Sequence, residues 1–255
     1  MVLRPQYMNT LRQYRDVPLV KILAGIRRCG KSTILEMLRD DLIAGGVAAD
    51  HVIFLRYTSE DFDEGMTDRD MYKDICSRMT GEGRYYLLLD EAQEIEGWEK
   101  AVNSLLENAD TDIYVTGSNS KLMSSEISTY LTGRYVSIPV YTLSFAEFLD
   151  FRQGDRRSVK ELLNEYIRMG GFPIVALGNF GERSAYQIVE GIYTSVVAND
   201  ITRRHNITNY DLFNRVVKYV VENVGKTFSA NAIVKFLKSD GRSLSVEAVY
   251  NYLSW

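Results

Sequence analysis

The chain is poor in soft ligands. Two cysteines and two histidines among 255 residues are too few for a disulfide framework. With no Cys-x-x-Cys pair they also make no structural zinc site. Cys29 and Cys76 therefore read as free thiols of a reducing compartment, and the cytoplasm is the expected location. No apolar run approaches the roughly 18 to 20 residues of a membrane span, and no signal peptide opens the chain. No membrane partner is expected. Internal repeats and low-complexity segments are missing as well. So is the Asn-Lys-x-Asp tetrapeptide that reads guanine. Nothing resembles the paired metal-binding carboxylates of a nuclease beyond Asp90-Glu91 itself.

What is present is ordinary for a globular chain, 45% hydrophobic and 25% charged, enough for one large or two modest domains. The formal charge of −4 hides an asymmetry: residues 1–149 carry 16 basic and 23 acidic side chains, residues 150–255 carry 14 and 11. The mildly basic second part permits a nucleic-acid partner without demanding one, and a solvated basic face is the simpler account.

Residues 25–32 read Gly25-Ile26-Arg27-Arg28-Cys29-Gly30-Lys31-Ser32, the phosphate-loop pattern G-x-x-x-x-G-K-[ST] without a mismatch. An apolar run, Val17 to Ala24, precedes it, and Thr33-Ile34-Leu35 opens a helix behind it. In that strand–turn–helix context the backbone N–H groups of Gly25 through Thr33 face phosphate oxygens, and the helix N-terminus adds its partial positive charge. Lys31 would reach the terminal phosphates and Ser32 would ligate Mg²⁺. Arg27 and Arg28 are unusual inside such a loop. They bind phosphate or pair with carboxylates to shape it.

Tyr85-Tyr86-Leu87-Leu88-Leu89-Asp90-Glu91 has the Walker B form, an apolar strand buried on both faces that ends in two carboxylates. Asp90 would hold Mg²⁺ opposite Ser32, and Glu91 would orient and deprotonate the attacking water. This Asp-Glu pair favours ATP hydrolysis over a guanine-nucleotide switch or phosphoryl transfer to a metabolite. After the next strand, Thr116, Ser118 or Asn119 is placed to contact the γ-phosphate or the water, and Ser118 or Ser120 would equally well cap a helix. Arg134 is a candidate for transition-state charge stabilisation, in its own subunit or a neighbour's, or else a surface ion pair.

Strand and helix signals alternate to about residue 143, with strands at 17–24, 52–57, 85–90, 113–116 and 135–140 and helices near 31–44, 67–79, 98–106 and 121–132. This predicts a P-loop α/β domain over 1–150 with a five-stranded, mostly parallel sheet. Beyond Leu143 only helices are expected, in a smaller all-α region over 151–255. Its last two, near 228–237 and 245–253, resemble a helix-turn-helix with Ser229 and Ser245 as N-caps. Glu247 on the second would repel phosphate, so a protein-packing, winged-helix-like region is favoured over a DNA reader.

These motifs resemble a prokaryotic group of AAA-type ATPases of the extended P-loop class with a helical and winged-helix region behind. The resemblance is carried by residues 25–32, Leu89-Asp90-Glu91-Ala92-Gln93, Gly97-Trp98-Glu99, residues 116–122, Leu131-Thr132-Gly133-Arg134-Tyr135, residues 143–148 and Gly170-Gly171-Phe172-Pro173. It implies a five-stranded sheet, Mg-ATP binding with hydrolysis, a trans-acting role for Arg134 and hence a homo-oligomer, and a protein partner of undefined kind. It also implies a longer chain, since Leu253-Ser254-Trp255 leaves a winged helix incomplete and the sequence is expected to be truncated. The competing reading is an ATP-binding switch or DNA-binding regulator with little turnover.

Overall fold

A computed structural model describes residues 2–58, 65–117, 130–202, 207 and 209–254, without the side chains of 198–200. The chain opens on a helix that the strand–helix alternation did not announce, α1 (Pro5–Gln13). Proline supplies its first turn, where no N–H is needed, and Tyr7, Met8 and Leu11 supply its buried side. Strand β1 (Val20–Ala24) then begins three residues later than the apolar run suggested. Pro18 has no N–H for a ladder, and Leu19 N turns back to the Val17 carbonyl at 2.7 Å. Helix α2 (Lys31–Ala44), β2 (Val52–Arg56), α3 (Asp68–Arg78), β3 (Tyr85–Asp90), α4 (Trp98–Asn108), β4 (Thr111–Gly117) and β5 (Tyr135–Pro139) follow. The helix expected over 121–132 falls mostly outside the described residues.

The five strands form one sheet in the order β2-β3-β4-β1-β5, and every pairing is parallel. Period-two alternation divides its side chains between two cores. Ile22, Ala24, Leu87, Leu89, Ile113 and Val115 face α3 and α4. Leu23, Tyr86, Leu88, Tyr114 and Ile138 face α1 and α2. Covering on both faces explains why β1 and β3 are buried at every position. The strand ends that precede residues 25 and 91 lie on the same edge, separated only by β4.

Beyond the sheet the described residues are helical, as expected: α5 (Phe145–Phe151), α6 (Val159–Met169), the short α7 (Pro173–Leu177) and α8 (Glu182–Ser195), continued by a π-helical stretch over Val196–Thr202. Helices α5 and α6 start at reciprocal capping boxes, Ser144 with Glu147 and Ser158 with Glu161. Leu143, Phe148, Leu162 and Ala176 make a small core there.

By compactness the chain divides into residues 1–192 and 193–255. The second unit holds α9 (Tyr210–Glu222), α10 (Ala230–Ser239) and α11 (Val246–Ser254) around Leu212, Val216, Ile233, Leu237 and Val249. Ser229 caps α10 through Ala232 N, and Ser245 Oγ accepts from Ala248 N at 3.1 Å. Among the described residues no helix is long and apolar enough to cross a membrane.

Candidate active site

The loop between β1 and α2 is shaped by two glycines for different reasons. At Gly25 a Cβ would stand 2.2 Å from the Val140 carbonyl oxygen, so only glycine fits where the loop leaves the sheet. Gly30 has φ +102°, in the left-handed region that favours glycine. Cys29 is wholly buried between them, and burial pushes its thiol pKa up. Ile26, Arg28 and Thr33 are exposed, and Arg28 holds φ +66°. Arg27 is half-buried and has an interaction partner.

Lys31, the first residue of α2, is 3% exposed. Its Nζ donates to the carbonyls of Gly25 at 2.9 Å and Ile26 at 3.1 Å, and lies 3.8 Å from Glu91 Oε1. Ser32 Oγ donates to Asp90 Oδ1 at 3.0 Å. The same carboxylate oxygen accepts from Thr116 Oγ1 at 2.6 Å, and that hydroxyl accepts from Glu91 N at 2.9 Å. Thr116 at the end of β4 therefore joins the two carboxylates at the end of β3. Glu91 has φ +54°, so the chain swings out of the strand direction there. Lys31, Ser32, Asp90, Glu91 and Thr116, read from separate motifs, form one cluster. Its hard oxygen donors suit Mg²⁺ beside phosphates rather than a soft metal. Among the described residues no three or more His, Cys, Asp or Glu side chains gather as a metal site on their own.

Two of the expected residues are not seen in this cluster, one because it is not described and one because of its position. Ser118, with Asn119 and Ser120, lies outside the described residues. Arg134 sits at the start of β5, beside Val20, whose N–H donates to its carbonyl at 2.8 Å. Its guanidinium donates to Asn103 Oδ1 at 2.9 Å and to Glu107 on α4. Five strand residues, about 16 Å, separate it from the loop edge, beyond the reach of one arginine side chain. A role in its own subunit's phosphate site is therefore ruled out by position.

Sequence reading missed two arginines, one that touches this cluster and one that touches the phosphate loop beside it. Arg56, at the end of β2, reaches Glu36 Oε1 at 2.6 Å and Asp90 Oδ2 at 3.4 Å. Arg4, 2% exposed, donates to Glu147 Oε1 at 2.7 Å, to the Cys29 carbonyl at 3.0 Å and to the Tyr141 carbonyl at 3.1 Å. It thereby ties the phosphate loop to α5. Burial alone would raise the Glu147 pKa. The Arg4 hydrogen bond, with those from Ser144, outweighs it and holds the carboxyl below its usual value.

A family model described as an AAA domain matches residues 18–149, the span from β1 into α5 that contains the whole cluster. The chain belongs to this AAA-domain family. Residues 160–255 match a domain of unknown function, DUF8612. The chain is thus a prokaryotic AAA-type P-loop protein whose fold supports nucleotide binding, followed by an all-helical region that matches a domain of unknown function. It is 36% identical over 256 residues to an uncharacterized protein of Haemophilus influenzae, covering 99% of this chain and 64% of that protein. It is 26% identical over 245 residues to an uncharacterized protein of Methanocaldococcus jannaschii, covering 92% and 54%. The chain thus spans between half and two thirds of these curated relatives.

Solved structures of similar outline include the ORC1 protein of Aeropyrum pernix in complex with DNA, at TM-score 0.49 and 14% identity over 100% of this chain and 82% of that one. AMPPCP-bound DnaA of Aquifex aeolicus gives 0.45 and 11% over 98% and 86%. A DNA polymerase III gamma subunit-related protein of Thermotoga maritima gives 0.46 and 15% over 83% and 66%. At these scores they add nothing to the family match and the sheet order.

Proposed function

We propose that this AAA domain binds Mg-ATP and hydrolyses it, and that residues 151–255 pass the nucleotide state to a partner protein. The observation that carries the proposal is the cluster at one sheet edge: Ser32 on Asp90, Thr116 joining Asp90 to Glu91, and Lys31 3.8 Å from Glu91. In this reading Gly25 to Thr33 bind the phosphate chain through backbone N–H groups and Lys31. Ser32 and Asp90 hold Mg²⁺, which when bound neutralises phosphate charge. Glu91 takes a proton from water as its oxygen bonds to the γ-phosphorus. The bond from that phosphorus to the bridging oxygen breaks, and ADP leaves with the electron pair. Within this division, residues 1–150 carry the chemistry. Arg134, too far from its own loop, serves the site of a neighbouring copy in a homo-oligomer. The free thiols suit a reducing, cytoplasmic setting.

Calorimetry and turnover on the folded chain test this. Lys31→Ala should abolish measurable Mg-ATP binding while the circular dichroism stays that of the wild type. Glu91→Gln should bind Mg-ATP and lose turnover about 100-fold or more. Unchanged affinity in a folded Lys31→Ala variant sinks the phosphate-loop assignment, and wild-type turnover in Glu91→Gln removes Glu91 as the base.

A further inference from the structure

Gln93 closes the Asp90-Glu91-Ala92-Gln93 run and sits in a one-turn 3-10 helix, Ala92–Glu94, behind β3. Its Nε2 donates to Glu91 Oε2 and, at 3.4 Å, to Glu94 Oε1. Its other polar atom, Oε1, is buried and meets no donor among the described residues. The Glu91 carboxylate is therefore held from two sides, Lys31 3.8 Å from Oε1 and the Gln93 amide on Oε2. Its backbone is fixed by the bond from Glu91 N to Thr116 Oγ1.

The chemistry of an amide matters here. A lysine or arginine in place of Gln93 would orient the carboxylate but also neutralise it. A neutral N–H donor orients it and leaves it basic. A buried acceptor left without a donor is costly, which argues that Oε1 is kept for a donor arriving at the site. The donor that must come within reach of Glu91 during hydrolysis is water, which carries two protons and gives up one.

We infer that Gln93 is a positioning residue for the proposed hydrolysis: its Nε2 latches Glu91, and its Oε1 accepts a hydrogen bond from the proton that the attacking water keeps. Gln93 changes no bond and no protonation state. The water loses its other proton to Glu91, its oxygen bonds to the γ-phosphorus, and ADP leaves. This inference rests on the ATPase reading of the site.

A double-mutant cycle in turnover tests it. Gln93→Ala and Gln93→Glu should lower kcat about 10- to 100-fold with KM and calorimetric Mg-ATP affinity changed less than about 3-fold, since ground-state binding does not use this amide. Gln93→Glu should be the worse, because it sets a second carboxylate against Glu91. Gln93→Asn, which keeps the amide on a shorter stem, should recover part of the rate. In a Glu91→Gln background, Gln93→Ala should change the residual rate less than about 2-fold, because the latched base is gone and the water that Oε1 orients has no carboxylate to take its proton. A purely structural side chain would lower the rate equally in both backgrounds, and that result overturns the inference. So does a wild-type kcat in Gln93→Ala. If the wild-type chain binds Mg-ATP without turning it over, the ATPase reading falls and the water contact with it. The latch is then read from thermal unfolding of the same four proteins, where non-additive shifts support the Gln93–Glu91 bond and additive shifts overturn it.

Discussion

Each end of β1 in this sheet has a buried lysine beside an aspartate or glutamate from another strand, and the two arrangements are finished differently. At the amino end, Lys21 Nζ bonds Asp112 and also the Val17 carbonyl at 2.6 Å. Asp112 Oδ2 accepts from Tyr114 Oη and Asp16 N, each at 2.9 Å. Lys21 and Asp112 are essentially inaccessible. Burial lowers the Lys21 pKa against the opposing pull of Asp112 and pushes the Tyr114 pKa up. Each carboxylate oxygen and the ammonium have partners, and the pair is closed off from solvent. At the carboxyl end, Lys31 spends two bonds on loop carbonyls and stands 3.8 Å from the nearest carboxylate. The inner pair is hydrogen-bonded and acts as a rivet, and the outer one, where lysine and carboxylate stand apart, is the place the proposed function gives to an anion.

The largest effect that separates the two ends is expected at the rivet. Lys21→Met strands the Asp112 carboxylate in a dry core and should cost about 3–5 kcal/mol, lowering Tm by roughly 10 °C. Nucleotide affinity of the molecules still folded should stay that of the wild type. Adding Asp112→Leu should restore most of the Tm, because the unpaired charge is then gone. A lone Lys21→Met that melts with the wild type would show that the pair contributes nothing.

Arg4→Met should be intermediate. It loosens the Cys29 carbonyl, and Glu147 retains Gln6 Nε2 at 3.0 Å and Ser144 N at 2.9 Å. About 2 kcal/mol of stability and a several-fold loss in Mg-ATP affinity are expected, read by denaturant unfolding and calorimetry. The Glu147 pKa is held down in the folded chain. Its contribution is therefore present above the unfolded carboxyl value near about 4.3 and lost as the pH falls through the folded value. Below about pH 4 the wild type should lose stability more steeply than Glu147→Gln, and parallel acid limbs would refute the assignment.

The smallest effect on stability belongs to Arg134→Ala. Its pair with Glu107 is about half exposed on both sides and should be worth less than about 1 kcal/mol. Its effect on turnover is a separate question. If Arg134 serves a neighbour, mixing Arg134→Ala with Glu91→Gln protein should regain part of the activity that each lacks. No regain in a verified mixed oligomer would exclude that role.

The regular part of this molecule was legible because its signals are local. Continuous apolar runs marked β1 and β3, which are buried at every position, and the motifs at their carboxyl ends named Lys31, Ser32, Asp90 and Glu91. Strand β1 was drawn three residues too long, because apolar content outvoted the missing N–H of Pro18. Helix α1 went unread since three buried side chains in nine positions make a weak stripe. Arg4 was invisible for another reason. Its partners lie 25, 137 and 143 residues away, and no spacing rule reaches so far. For Arg134 the sequence left its own subunit, a neighbour's site and a surface ion pair open, because a motif fixes order along the chain and not which edge of a sheet a residue occupies.

Cys29, sealed inside the phosphate loop with no accessible surface, gives the loop a clock. Its thiol can meet an alkylating reagent only when the loop lets go of Arg4 and opens, while the partly buried Cys76 on α3 reports the reagent's approach to a more accessible thiol of the same chain. The ratio of the two labelling rates counts loop openings per unit time, without any assay of the reaction and without adding a probe.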